Sequence, residues 1–164
     1  MKKVAFRNLG CKVNEYEMEY MQQRMAEKGY LIVPFDTKSD IYVINTCTVT
    51  NIADRKSRQM IHKARKLNPD AIVVAVGCYA QTDTEGAVKD NAADIIVGNN
   101  NKARLPEIIE EYIEKHISDT DGNTSTPETI VDDLSVDPLY EDMGIAQYEQ
   151  NWLHPSCIFI KALV

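Results

Sequence analysis

Apolar residues along the first hundred positions alternate between two rhythms, short β-type runs and longer stretches at helical spacing. Residues 4–8 (VAFRN) read as a strand, and residues 15–28 as a helix whose core face carries Tyr16, Met18, Tyr20, Met21 and Met25. Gly29 ends that helix. Two further strand patterns, 30–34 and 41–45, flank the turn-forming run Asp36-Thr37-Lys38-Ser39-Asp40. Pro34 cannot donate to a ladder, which puts the first of them near an edge. Residues 51–67 form a second helix, with Ile52, Met60, Ile61, Ala64 and Leu67 inward and Asn68-Pro69 as its stop. The nearly unbroken Ala/Ile/Val run at 71–76 has the character of a central parallel strand, apolar on both faces. A short helix at 82–89, a strand at 94–97 and a helix at 102–116 follow. Strands alternating with helices predict an α/β fold, an open, mainly parallel, doubly wound sheet of flavodoxin- or Rossmann-like three-layer form.

Past residue 118 the pattern thins into Asp, Thr, Ser, Pro and Gly. The expected organisation is a folded domain over 1–116, an acidic linker or loosely structured extension over 117–154, and a new strand starting within 155–164, where Ile158 to Ile160 are β-like. Charge divides the same way. Residues 1–106 carry 16 Lys and Arg against 12 Asp and Glu, whereas residues 107–164 carry 2 against 13. The acidity therefore belongs to the tail and does not argue against nucleic-acid binding by the folded part. No run reaches the roughly 18 to 20 apolar residues of a membrane helix, and Met1-Lys2-Lys3 leads into a strand, not a signal peptide. A cytoplasmic protein without a membrane partner is expected.

Four cysteines in 164 residues are too few and too scattered for a disulfide scaffold. Three of them share a topological position. Cys11 follows the strand at 4–8, Cys47 the strand at 41–45, and Cys78 the strand at 71–76. In an open α/β sheet the carboxyl ends of neighbouring strands line one ligand crevice, so thiols about thirty residues apart can meet. Gly10 and Gly77 precede two of them and permit sharp turns or close approach of a bulky ligand. Three thiolates suit a soft metal, either zinc with one open position or an iron–sulfur cluster with one iron lacking a protein ligand. The absence of C-x-x-C knuckles favours the cluster, and nearby helix amino termini favour thiolate over thiol. A non-catalytic zinc or thiol–disulfide redox module is the alternative. Cys157, beyond the linker, reads as a bystander, and His62, His116 and His154 as solvated.

Three segments carry a family resemblance: Asn8-Leu9-Gly10-Cys11-Lys12-Val13-Asn14-Glu15-Tyr16-Glu17, Asn45-Thr46-Cys47-Thr48-Val49-Thr50 and Gly77-Cys78-Tyr79-Ala80-Gln81. Together they resemble the amino-terminal domain of the methylthiotransferases, radical S-adenosylmethionine enzymes, over roughly residues 2–116. Cys11-Lys12-Val13-Asn14, the run from Ala53 to Gln59, and Cys78-Tyr79 look most like the branch that methylthiolates N6-threonylcarbamoyladenosine beside the tRNA anticodon. The resemblance implies that Cys11, Cys47 and Cys78 hold an auxiliary [4Fe–4S] cluster whose open iron carries the sulfur to be delivered. It further implies that tRNA is the substrate, bound weakly or not at all by this fragment alone. A second cluster and S-adenosylmethionine would belong to a separate radical domain with a C-x-x-x-C-x-x-C motif, and a small carboxyl-terminal domain would help bind RNA. No such motif occurs in these 164 residues. A fragment without catalytic residues of its own, inactive alone, is the resulting expectation.

Arg55, Lys56, Arg58, Lys63, Arg65 and Lys66 crowd one helix just after Cys47, with only Asp54 against them. Arg55, Lys56 and Arg58 are candidate tRNA contacts, and an ordinary solvated helix face is the competing reading. Asn14, Asn45 and Gln81 flank the cysteines as candidates to orient backbone turns or hydrogen-bond a cluster sulfur, and a simple loop cap is the competing reading for Asn45 or Thr46. A Gly-rich phosphate loop is lacking, which makes a simple nucleotide-binding domain a poor fit.

Overall fold

A computed structural model describes residues 1–10, 12–46, 51–77, 92–118 and 128–130. Its strands are β1 (Lys3–Asn8), β2 (Leu31–Val33), β3 (Ile41–Thr46), β4 (Ile72–Gly77), β5 (Ile95–Val97) and β6 (Glu128–Ile130). Its helices are α1 (Lys12–Glu27), α2 (Asn51–Leu67) and α3 (Leu105–Ser118), with a 3-10 turn at Asn99–Arg104. The strands form one parallel sheet in the order β2-β1-β3-β4-β5-β6. The doubly wound parallel fold is thus as the pattern predicts. β2, the strand next to Pro34, lies at one edge, and β3 and β4 occupy the middle.

Alternation along the strands divides the core into two layers. Ala5, Tyr42, Ile44, Val73, Ala75 and Ile96 point to one face and pack with Ile61 and Ala64 of α2. Val4, Phe6, Val43, Val74, Val76 and Ile95 point to the other and meet Met21 and Met25 of α1 and Ile109 of α3. Every residue of β3 is buried, as is every residue of β4 after Ile72, which is why these runs lack a polar alternation. α1 and α3 are also tied by Arg24 to Glu107 at 3.0 Å and Lys28 to Glu110 at 3.0 Å.

Some elements depart from the pattern. α1 begins at Lys12, three residues earlier than its apolar positions suggest. The helix expected at 102–116 is a 3-10 turn followed by α3, and Pro106 sits in the first turn of α3, where its missing N–H costs nothing. Residues 128–130, inside the stretch read as an extension, add a sixth strand: Glu128, Thr129 and Ile130 pair with Ile95, Ile96 and Val97. The helix expected at 82–89, Cys157, His154 and the β-like residues 158–160 lie outside the described residues.

The inward face of α1 also differs. Tyr16 is exposed, while Asn14, Glu17, Met21 and Met25 are buried. These four keep helical spacing, so the period was present in the chain but half its members are polar. Glu17 is tolerated there because the ammonium of Lys102, itself 1% exposed, donates to its carboxylate. This pair joins α1 to the connection between β5 and α3. Breaking a buried ion pair leaves the partner charged and desolvated. Lys102→Met is therefore expected to lower the unfolding free energy by about 3–5 kcal/mol in urea titrations followed by circular dichroism, and adding Glu17→Leu should recover most of that loss.

Candidate metal centre at the carboxyl edge of the sheet

β1, β3 and β4, the three strands that precede the cysteines, are immediate neighbours. Their carboxyl ends are level: Asn8 is in register with Asn45, Asn45 with Val76, and Thr46 with Gly77. Cys11, Cys47 and Cys78 lie outside the described residues. What can be read is the framework to which they are bonded through Gly10 and Lys12, Thr46, and Gly77.

That framework is a set of interlocking polar contacts. Leu9 N–H donates to the Asn45 carbonyl at 3.0 Å, continuing the β1–β3 ladder past its last paired residues. Gly10 N–H donates to Asn8 Oδ1 at 3.0 Å, turning the chain toward α1. Asn14, in the first turn of α1, donates from Nδ2 to the Thr46 carbonyl at 3.2 Å, and Asn45 Nδ2 donates to the Asn14 carbonyl at 2.8 Å. Thr46 Oγ1 donates to the Val76 carbonyl at 2.6 Å, joining β3 to β4. Asn45 and Thr46 have no exposed surface, and Asn14 is nearly buried. The two asparagines read from sequence as turn-orienting tie the end of β3 to the first turn of α1. Gln81, read with them, lies outside the described residues.

Two glycines are required by this packing. A Cβ on Gly10 would fall 2.0 Å from Asn14 Nδ2. Gly77 has φ +103°, and a Cβ there would sit 2.8 Å from both Asn45 Oδ1 and the Thr46 carbonyl oxygen. Asn45 Oδ1 is buried and accepts no hydrogen bond among the described residues. This acceptor faces Gly77, the residue bonded to Cys78.

Two helix amino termini adjoin the same edge. α1 opens at Lys12, directly after Cys11, and α2 opens at Asn51, four residues after Cys47. Their partial positive charge favours a nearby thiolate. Among the described residues, no three His, Cys, Asp or Glu side chains converge as a metal site. His62 is exposed, as expected. His116 is instead half-buried, with its ring stacked on Tyr112 at 3.9 Å between centroids and its Nδ1 2.9 Å from the Tyr112 carbonyl oxygen. Sequence reasoning missed Glu17 and Lys102, for which no hydrophobic pattern supplies a signal.

A family model described as "Uncharacterized protein family UPF0004" matches residues 3–98, which includes all three cysteines. The chain belongs to this family. It is 48% identical over 113 residues to threonylcarbamoyladenosine tRNA methylthiotransferase MtaB of Aquifex aeolicus, a match covering 69% of this chain and 28% of the relative. The Bacillus subtilis protein of the same name is 45% identical over 115 residues, covering 70% of this chain and 26% of the relative. A tRNA-2-methylthio-N(6)-dimethylallyladenosine synthase of Shewanella oneidensis is 34% identical, covering 67% of this chain and 24% of the relative. The chain thus spans about a quarter of the length of these curated relatives. Among solved structures, a CheY-like response regulator receiver domain from Methanospirillum hungatei superposes with a TM-score of 0.55 at 15% identity, covering 72% of this chain and 98% of that one. That likeness is one of fold alone.

The two described glycines with positive φ differ in a way that isolates the site's steric demand. Gly29, φ +85°, has nothing within 4 Å of a built Cβ, whereas Gly77 has three polar atoms there. Gly29→Ala should cost about 1–2 kcal/mol, the left-handed backbone penalty alone. Gly77→Ala should cost more, because Asn45 and Thr46 must also move, and urea unfolding of the two variants side by side checks the order.

Proposed function

We propose that this chain is the sulfur-bearing amino-terminal domain of a tRNA methylthiotransferase, in which Cys11, Cys47 and Cys78 together ligate an auxiliary [4Fe–4S] cluster. The observation that carries this reading is the level termination of β1, β3 and β4 as adjacent strands, since each cysteine is bonded to a residue of that edge. Three soft thiolates suit a cluster with one iron left open. The framework fits such a group: Asn45 Oδ1 offers a buried acceptor to an N–H of the cysteine loops, and Gly77 lets β4 end tightly against Asn45 and Thr46, where a side chain would collide with both. The interlocked Asn14, Asn45 and Thr46 would hold the thiol-bearing segments at fixed separation, so little order is lost on ligation. When bound, the cluster would supply the sulfur for delivery to the substrate.

The substrate is proposed to be N6-threonylcarbamoyladenosine in tRNA, the nucleoside named for the relatives at 48% and 45% identity. S-adenosylmethionine cleavage and a second cluster are assigned to a radical domain with a C-x-x-x-C-x-x-C motif, which these 164 residues do not contain. That domain and an RNA-binding domain are the partners proposed for this one, and residues 117–154, of which 117–118 finish α3 and 128–130 form β6, the acidic extension toward them. Methylthiolation by this chain alone is not expected, and product formed on tRNA with S-adenosylmethionine and reductant would overturn that assignment. No helix among the described residues is long and apolar enough to cross a membrane.

Anaerobic reconstitution with iron and sulfide tests the proposal. A brown protein with about four irons and four sulfides per chain, absorbing broadly near roughly 400 nm, is expected. Cys11→Ala, Cys47→Ala and Cys78→Ala should each abolish stable loading, while Cys157→Ala retains it. A colourless protein with one zinc per chain would replace the cluster by a three-cysteine zinc module.

A further inference from the structure

α2 buries Ser57, Ile61 and Ala64 and turns Arg55, Arg58, Gln59, His62, Lys63 and Lys66 outward, where they line one shallow groove. At about 100° per residue, Arg55, Gln59, His62 and Lys66 fall on the crest opposite the buried face, with Arg58 on one shoulder and Lys56 and Lys63 on the other. Residues 55–67 contain no Asp or Glu. From Arg55 to Lys66 the crest runs about 16 Å, from near the carboxyl edge of the sheet, where α2 starts, toward its amino edge.

The basic residues of this helix are not equivalent. The Arg65 guanidinium is committed to the fold: it donates to the carbonyls of Pro69, Ala71 and Ala92 at 3.0, 2.9 and 3.2 Å and to Asp94 Oδ2 at 2.6 Å. Asp94 Oδ2 accepts in turn from Val73 N–H at 2.7 Å, so Arg65 clamps α2 to the amino ends of β4 and β5. Lys63 pairs with Asp36 at 2.5 Å, a contact that holds the Asp36 carboxyl below its ordinary value. The crest and the Arg58 shoulder keep cations and an amide facing outward.

We propose that this face of α2 is a docking strip for RNA backbone phosphates, with Arg55 and Arg58 as its principal contacts beside the carboxyl edge and Lys66 extending it. The proposal rests on the reading of tRNA as partner and names the surface of this domain that meets it. The chemistry selects RNA over other anionic partners. Arginine forks match phosphate oxygens, and Gln59 offers donor and acceptor for ribose hydroxyls. The strip exposes no Leu, Phe or Trp, so it has neither the apolar face that inserts into a lipid surface nor the aromatic anchor of a protein hot spot. RNA lying along it would pass the edge where the three cysteine-bearing strands end.

The metal-free 164-residue chain and fluorescently labelled tRNA, titrated by anisotropy between about 50 and 200 mM salt, provide the test, because binding without metal is read independently of the cluster. Affinity is expected to fall steeply with salt. Arg55→Glu with Arg58→Glu should weaken binding at least about tenfold and flatten the log–log salt slope by roughly one to two. Lys66→Glu should act in the same direction but less. The same charge change away from α2, at the exposed Lys2→Glu with Lys3→Glu, should leave affinity within about twofold. Circular dichroism confirms folding, and the neutral pair Arg55→Gln with Arg58→Gln, expected to give an intermediate loss, guards against a misfolded reversal. Unchanged affinity in the α2 variants, an equal loss in the control, or binding to anionic vesicles without binding to tRNA overturns the strip. Cluster loading without RNA binding sinks this inference alone, and RNA binding without cluster loading sinks the metal reading alone.

Discussion

The architecture turns on one constraint: three parallel strands must end level and side by side, with their last residues held by buried hydrogen bonds instead of solvent. Asn45 is the centre of that arrangement. Its backbone carbonyl receives the β1 turn through Leu9, its amide nitrogen binds the first turn of α1 through the Asn14 carbonyl, and its Oδ1 faces Gly77 at the end of β4. Buried amides are costly unless satisfied, so an asparagine here fixes neighbours in a way an apolar residue of equal volume would not. Below this cap the sheet is held by two apolar layers. The cap makes one edge of a common fold into a place where distant parts of the chain can act together.

The two faces of the sheet serve this edge differently. α1 and α3 close one layer and are cross-tied by Arg24 with Glu107 and by the buried contact of Lys102 with Glu17. α2, on the opposite layer, is held at its far end by Arg65 and presents its cations outward along its length. Rigid placement at one end and an open basic face at the other is what a helix needs if it is to guide an anionic polymer toward a fixed site. Net charge conceals this, since acidic residues past 106 outweigh a folded part that is basic.

Likeness to a CheY-like receiver domain at 15% identity shows how little the fold says about chemistry. The glycines, asparagines and cysteines at the three strand ends all lie within the matched family segment.

Much of this was determined by the sequence alone. Short β-rich apolar runs, continuous at β4, and spacing near 3.6 located β1 to β5, α1 and α2, because burial of one face or two leaves that imprint on a strand or helix. The spacing of cysteines after strands, and the motifs around them, marked the candidate site for the same local reason. Tertiary structure decided what depends on partners far along the chain. Glu17 is buried because Lys102 meets it, Arg65 leaves the basic strip because Ala92 and Asp94 capture it, and residues 128–130 become a strand because β5 has an open edge. Each is a pairing between residues tens of positions apart, and neither member's own neighbourhood carries a trace of the other.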